Sequence, residues 1–295
     1  PEPATQVAAF RTGRINFTGQ GFRGLSKTDV DLIQKEVPGA HISSYFSTTQ
    51  VFIFMNTAVP PFNNLKARQA VFLAIDQREM IDVAFEGAAS FTDYIGALGL
   101  AWSLPKERLD RFAPYRGVTD ADRAKAKALL AEAGHPGGLE VEYLLYDLLE
   151  RPGVVNMDQL RRIGIRATAR IRTYAAEWVP ETRAGKYTIT TGHIPYAFYD
   201  LSQALSAFTK GHPENRMAYT NPKVEDLYAR MNSTVDPAAR RRFSDEIQAL
   251  LFEDLPAVPG AIQNFLHAAR PEVRGWTHPG IMRDNMRYEY VWLAK

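Results

Sequence analysis

Residues 139–172 read Leu139-Glu-Val-Glu-Tyr-Leu-Leu-Tyr146, then Asp147-Leu-Leu-Glu-Arg-Pro-Gly-Val-Val-Asn156, then Met157-Asp-Gln-Leu-Arg-Arg-Ile163-Gly164 and Ile165-Arg-Ala-Thr-Ala-Arg-Ile-Arg172. The first block alternates apolar and polar residues as a half-buried strand does. Met157 to Ile163 has helical spacing and ends at a glycine. The last block alternates again, with Ile165, Ala167, Ala169 and Ile171 on one face. Strand, helix, strand in this order is the unit from which α/β folds with crossover connections are built.

The same alternation extends outward in both directions. Thr119 to Ala133 is the clearest helix, capped by Thr119 or Asp120 and stopped by Gly134. Asn64 to Ile75 is a second, with Ala67, Ala70, Val71, Ala74 and Ile75 on one face, and Arg78 to Phe85 continues or restarts it. Val51 to Asn56 is a short apolar strand that Pro60-Pro61 terminates. Ser26 to Lys35 is helical, and so is the start, up to Gly13, with a strand after it. Residues 88–118 carry Gly and Pro without periodicity and read as one long ordered loop. Tyr174 to Ala184 is helical and Tyr187 to Thr191 a strand. Two late helices, Pro222 to Met231 and Pro237 to Phe252, begin with proline behind a capping Asn221 or Asp236. Short extended segments and turns follow.

Composition narrows the function classes. The 295 residues are 45% hydrophobic and 23% charged, with 35 basic against 33 acidic side chains and a formal charge of +2. That balance points to neither nucleic acid nor a membrane surface as partner. The absence of cysteine excludes disulfides, thiolate metal sites and a cysteine nucleophile. No apolar run approaches the 18 or so residues of a membrane span. The start, Pro1-Glu2-Pro3-Ala4, has neither an initiator Met nor the pattern of a leader, so we expect a removed leader or a segment of a longer protein. Gly19-Gln20-Gly21-Phe22-Arg23-Gly24 has the letters of a dinucleotide loop but no βαβ context. The six histidines, 41, 135, 193, 212, 267 and 278, have no metal-binding spacing. Neither a cofactor, a metal site nor an enzyme is expected.

Several phrases, taken in order, resemble the bacterial extracellular solute-binding proteins of family 5, the oligopeptide and dipeptide receptors of ABC transporters. They are Phe54-Met55-Asn56 with Pro60-Pro61-Phe62-Asn63-Asn64, Lys66 to Ala70 and Ala74 to Gln77; Ala124 to Pro136; Gln159 to Ile165; Tyr219 to Pro222 with Asp236 to Arg240; and Asp254 to Pro259. The opening Ala8 to Ile15 is similar to a turn of the same family.

The resemblance implies a periplasmic binding protein-like (type II) α/β fold, here mainly the second lobe, with parts of lobe I at both ends. Residues 1–55 would be a partial lobe I segment, 56–264 lobe II and 265–295 the return to lobe I. It implies that a solute, an oligopeptide or an oligosaccharide, binds between two lobes and passes to a membrane ABC permease. Met55, Asn56 and Phe265 would lie at the hinge strands. A monomer is implied, periplasmic or extracellular, lipid-anchored or secreted through a leader. The alternatives are a sensory module or a sugar receptor on the same scaffold.

The informative departure is Gly192-His193-Ile194-Pro195-Tyr196-Ala197-Phe198-Tyr199-Asp200. His193 replaces the family's tryptophan, and Tyr196 falls on or near the aspartate that holds a peptide's ammonium. A buried ammonium needs such a counter-charge, so Asp200 is the one acid of this loop able to replace it. Tyr196, Phe198 and Tyr199 are candidate stacking platforms or simply core. Trp102, Tyr94 and Phe91 in the long loop either line the cleft or pin the loop. Arg216 either meets an acidic ligand group or is a surface arginine, and Arg240-Arg241-Arg242 reads as a solvated helix face.

Overall fold

The computed structural model describes residues 3–18, 24–96, 102–196, 200–276 and 288–294. In chain order the helices are α1 (Pro3–Arg11), α2 (Lys27–Glu36), α3 (Leu65–Ala74), α4 (Gln77–Phe85), α5 (Lys106–Leu109), α6 (Ala113–Arg116), α7 (Asp120–Glu132) and α8 (Glu150–Arg161). They continue with α9 (Val179–Arg183), α10 (Leu201–Ser206), α11 (Pro222–Asn232) and α12 (Pro237–Asp254). The strands are β1 (His41–Met55), β2 (Ala89–Phe91), β3 (Leu139–Tyr146), β4 (Ile165–Arg172), β5 (Ile189–Pro195), β6 (Ala257–Ala269), β7 (Val273–Arg274) and β8 (Trp292–Leu293). Six of them form a mixed sheet in the order β2-β6-β1-β5-β3-β4. The fold is α/β, as the alternation in the sequence requires.

The chain divides into two compact units, one of residues 1–48, 81–90 and 262–295, the other of residues 49–80 and 91–261. In the first unit, α1 and α2 close over a core of Val7, Phe10, Leu25, Val30, Ile33, Val37 and Ala268. A capping box starts α2: the Ser26 hydroxyl accepts from the Asp29 amide, and the Asp29 carboxylate accepts from the Ser26 amide, each at 3.0 Å.

In the second unit, β3 runs parallel to both β4 and β5, while β5 pairs antiparallel with β1. The carboxyl ends of β3, β4 and β5 therefore share one edge of the sheet. The core is aromatic: Phe52, Phe54, Phe62, Tyr94 and Phe208 are fully buried, and Phe252 stacks on Phe112 with centroids 4.6 Å apart. Such stacking adds to the area that each ring buries. Helices α11 and α12 begin at proline behind Asn221 and Asp236, whose side chains accept from the first amides.

Several elements differ from the sequence reading, and four show why. First, β1 is 15 residues long, because Ser43, Ser44, Thr48 and Thr49 give its first half a polar composition that hides a real strand. Second, α8 starts at Glu150, well before Met157. Pro152 is tolerated there because it lies in the first turn, and Gly153 is needed because a Cβ would meet Leu145 Cδ2 at 2.2 Å. Third, the long loop contains β2 and the short α5 and α6. Fourth, the single helix expected at 174–184 is a π-helical turn, Tyr174–Trp178, running into α9. On β4 only Ile165 of the expected apolar face is fully buried, and Ile171 is 47% exposed.

Candidate functional site

In open sheets of parallel strands, ligands gather outside the carboxyl ends, where loops fan out from rigid strands. At that edge β3 ends on Tyr146, the chain leaving β4 turns immediately into Tyr174, and β5 presents His193 two residues before its end. These three side chains meet. The Tyr146 hydroxyl hydrogen-bonds His193 Nδ1, and the Tyr174 hydroxyl lies 3.1 Å from His193 Nε2. The Tyr174 and His193 rings are 5.0 Å apart, and Trp178 stacks on His193 at 6.2 Å with planes only 6° apart.

Trp178 reaches β5 because residue 192 is glycine. A Cβ there would meet Trp178 Cζ2 at 2.6 Å and Phe54 Cε2 at 2.5 Å. The indole Nε1–H donates to Thr190 Oγ1 at 2.9 Å. Burial, reinforced by the positive charge of Arg216, pushes the His193 pKa down to about 3. A neutral imidazole has one donor and one acceptor, so one tyrosine donates to the ring and the other accepts from it.

Behind the indole lies a buried ion pair. Arg216 Cζ sits 4.4 Å from the Trp178 ring centroid, and its Nη2 donates to Glu214 at 2.7 Å. The other Glu214 oxygen accepts from Arg183 at 2.6 Å. Burial raises the Glu214 pKa, but Arg216 and Arg183 outweigh it and leave the carboxyl below its ordinary value. Arg216 is 3% exposed, which corrects the surface-arginine reading: its partner, Glu214, and its aromatic platform, Trp178, are both inside the fold. Its Nε has no hydrogen-bond partner among the described residues.

The remaining candidates lie elsewhere. Tyr196 is buried and donates to Gln50 Oε1 at 3.2 Å. Tyr94 is fully buried, with its hydroxyl 2.6 Å from the Ala257 carbonyl. Asp200 caps α10 by accepting from the Ser202 amide at 2.8 Å and pairs with Arg240 at 2.6 Å. Arg241 likewise pairs with Asp245 and donates to the Ser103 carbonyl, so two of the three consecutive arginines are engaged rather than solvated. Trp102 is half-buried. Phe91 is exposed, with Arg78 Cζ 5.8 Å from its ring. Phe198 and Tyr199 lie outside the described residues. Met55 and Asn56 belong to the second unit, where the Asn56 amide donates to the Gly185 and Tyr187 carbonyls. Phe265 belongs to the first, against Tyr45 at 5.5 Å.

Residues 1–215 match the family model described as bacterial extracellular solute-binding proteins, family 5 Middle. The chain belongs to that family. Its members bind solutes for transport and are not enzymes. This family 5 chain is 26% identical over 292 residues to the glutathione-binding protein GsiB of Shigella flexneri, covering 93% of this chain and 54% of the relative. It is 26% identical over 294 residues to heme-binding protein A of Haemophilus influenzae, covering 94% of this chain and 50% of the relative. The periplasmic binding protein DppA of Helicobacter pylori, solved with the peptide STSA, superposes with a TM-score of 0.79 at 22% identity. That match covers 100% of this family 5 chain and 56% of DppA, and it shows the fold. The chain thus spans about half the length of the curated relatives it matches.

Of the site residues, sequence reasoning reached His193 and Arg216 and missed Tyr146, Tyr174, Trp178 and Glu214. A signal was present. Tyr146 ends one strand and Tyr174 follows the next, and once the two strands are taken as parallel these positions fall at one edge.

Proposed function

We propose that this chain is the substrate-binding component of an ABC importer and recognises a peptide or similar solute at the carboxyl edge of β3, β4 and β5, for delivery to a membrane permease. The observation that carries the reading is the convergence of Tyr146, Tyr174, Trp178 and His193 at that edge in a chain of the solute-binding family. Tyr146, Trp178 and His193 are buried and hold the half-buried Tyr174 in place, and it is the Tyr174 ring that stacks on a planar or apolar face of a ligand. The relatives are named for glutathione and heme, and DppA was solved with a peptide. One scaffold thus serves chemically unlike solutes, which supports a solute-binding role and leaves specificity to the side chains at the edge.

Those side chains support a solute whose amino end is not held by the 193–200 loop. Tyr196 stands where the resemblance puts the peptide-anchoring acid, and it is turned to Gln50. Asp200, the one carboxylate between His193 and Asp200, is already neutralised by Arg240. An ammonium taken out of water there would find no unpaired carboxylate on this loop. The lobe reading, with 56–264 as lobe II, stays part of this proposal. It is supported by unit boundaries that fall within β1 and β6, although residues 81–90 group with the first unit.

Isothermal titration of this chain with matched free and N-acetylated tri- and tetrapeptides, and with aromatic or sugar solutes, tests the reading. Acetylation should change affinity less than about threefold, and Tyr174→Ala should weaken binding about tenfold or more, the order of one lost aromatic contact. Binding that strictly requires a free amino terminus would refute the specificity argument. A Tyr174→Ala variant that binds every ligand as well as wild type would move the site elsewhere.

A further inference from the structure

In the second unit, Arg183 at the end of α9 and the loop between α10 and α11 line a cavity of about 370 Å³. From the loop, Lys210, Gly211, His212, Ala218 and Thr220 contribute to its wall. We infer that this cavity is an oxyanion site, which takes a carboxylate or phosphate group.

Charge is the first argument. Glu214 accepts from Arg183 at 2.6 Å and from Arg216 at 2.7 Å, so one carboxylate serves two guanidiniums. Arg183 is exposed, and its fork has further N–H groups beyond the one given to Glu214. The Lys210 amide donates to Glu225 at 2.7 Å, while its exposed ammonium makes no ion pair among the described residues. Asp254 accepts from the Tyr219 hydroxyl and has the charge of Arg68 beside it. Arg183, Arg216 and Lys210 therefore outnumber Glu214 and Glu225. A concave wall with surplus positive charge concentrates anions.

The donors are the second argument. His212 Nδ1 accepts from the Glu214 amide at 3.2 Å, so the ring carries its proton on Nε2 and can donate it. Gly211 and Ala218 have φ of 79° and 52°. Turns with residues in this region gather backbone N–H groups into anion-binding concavities. Among the described residues, the amides of Gly211, Ala218 and Thr220 donate to no acceptor. Alanine does not adopt that φ freely, so the turn is held from outside. Asn215 holds it, donating to the Thr209 and Tyr219 carbonyls at 2.9 and 2.8 Å and accepting from the Tyr219 amide at 3.1 Å. Braced N–H donors beside surplus cations favour an oxyanion over a neutral group.

Amide NMR of this chain, isotope-labelled and titrated with inorganic phosphate against sodium chloride of equal ionic strength, tests the site. The Gly211, Ala218 and Thr220 signals should shift and saturate, with a Kd of about 1 mM or tighter. Lys210→Ala should weaken binding about fivefold or more, the loss of one charge-assisted hydrogen bond. Lys210→Arg should keep it within about twofold, because the charge remains. Lys125→Ala, an exposed change on α7, should leave it within about twofold, since distant surface charges are screened. The titration contains no solute for the carboxyl edge, so its outcome is separate from that of the Tyr174 reading. Phenyl phosphate distinguishes the sources of the anion, because α9 continues the turn that carries Tyr174. Tighter binding than phosphate, with the gain lost in Tyr174→Ala, assigns the group to a solute at the edge; equal affinity assigns it to a free anion. Shifts that never saturate, or a Lys210→Ala variant that binds phosphate as wild type does, overturn the proposal. An equal loss in Lys125→Ala overturns it too.

Discussion

Asp93 is a carboxyl with no exposure to solvent, held in a turn by the amides of Ile95 and Leu104. Burial raises its pKa from 3.8 to about 6, against the pull of those amides and of Arg241. The hydroxyls of Tyr115 and Tyr196 belong to the same surroundings. Because the folded pKa lies above the unfolded one, the native state takes up a proton between about pH 6 and 4. This group's contribution to stability must therefore grow as pH falls through that window. A shift of about two units corresponds to about 3 kcal/mol. Urea unfolding of wild type and Asp93→Asn at pH 7, 6, 5 and 4 reads it directly. The wild type should gain about 2–3 kcal/mol on the variant from pH 7 to pH 4. A difference independent of pH would mean that Asp93 keeps its charge inside the fold. Trp178 and Arg216 illustrate another side of the residue scale: Glu214, two residues away, provides the counter-charge, while the indole that provides the cation's platform is remote in sequence.

Helices are where local chemistry can be read and tested most directly. The Thr119 hydroxyl caps α7 by accepting from the Asp122 amide, the Asp122 carboxylate accepts from the Thr119 amide at 2.9 Å, and Arg116 donates to the same carboxylate at 2.6 and 2.9 Å. The hydrogen bond with Arg116 is the main reason that the Asp122 pKa lies well below the ordinary aspartate value. With a depressed folded pKa, its stabilisation is present above the unfolded value of about 3.9 and is lost as pH falls below it. Asp122→Ala at pH 7 should cost about 1–2 kcal/mol, the scale of a lost cap. Arg116→Ala should reproduce only part of that loss, measured by urea unfolding followed by circular dichroism. An Asp122→Ala variant as stable as wild type would show that the box contributes nothing. This helix was legible in the sequence because cap, periodicity and stop all lie within 16 residues. The ends of β4 were legible for the same reason, as strict alternation that begins directly after Gly164. By contrast, α8 was cut short at Met157 because Gly153 looks like a breaker until Leu145 is seen pressed against it. Likewise β1 was halved because serine and threonine mimic a loop. Tyr146 and Tyr174 could not be joined to His193 without knowing that β3, β4 and β5 are parallel. That is a fact of topology, which no local window contains.

For the molecule as a whole, the question is whether one core or two hold it together. Each compact unit has its own fully buried aromatic: Phe10 among Val7, Ile33 and Val37 in the first, and Phe62 in the second. The chain passes between the units at four points, 48–49, 80–81, 90–91 and 261–262, so covalent continuity by itself would allow a single cooperative transition. Packing argues otherwise. The cluster around Phe10 draws only on residues of its own unit, and truncating a buried phenylalanine costs about 3–5 kcal/mol wherever its contacts are. Opening is regional when the lost contacts are regional. In native-state hydrogen exchange, Phe10→Ala should accelerate the amides of α1 and α2 by at least about a hundredfold while leaving β3, β4 and β5 within about twofold of wild type. Phe62→Ala should do the reverse. If Phe10→Ala accelerates exchange evenly along the chain, the two cores unfold as one. In that case the carboxyl edge carrying His193 depends for its rigidity on helices that contribute no residue to it.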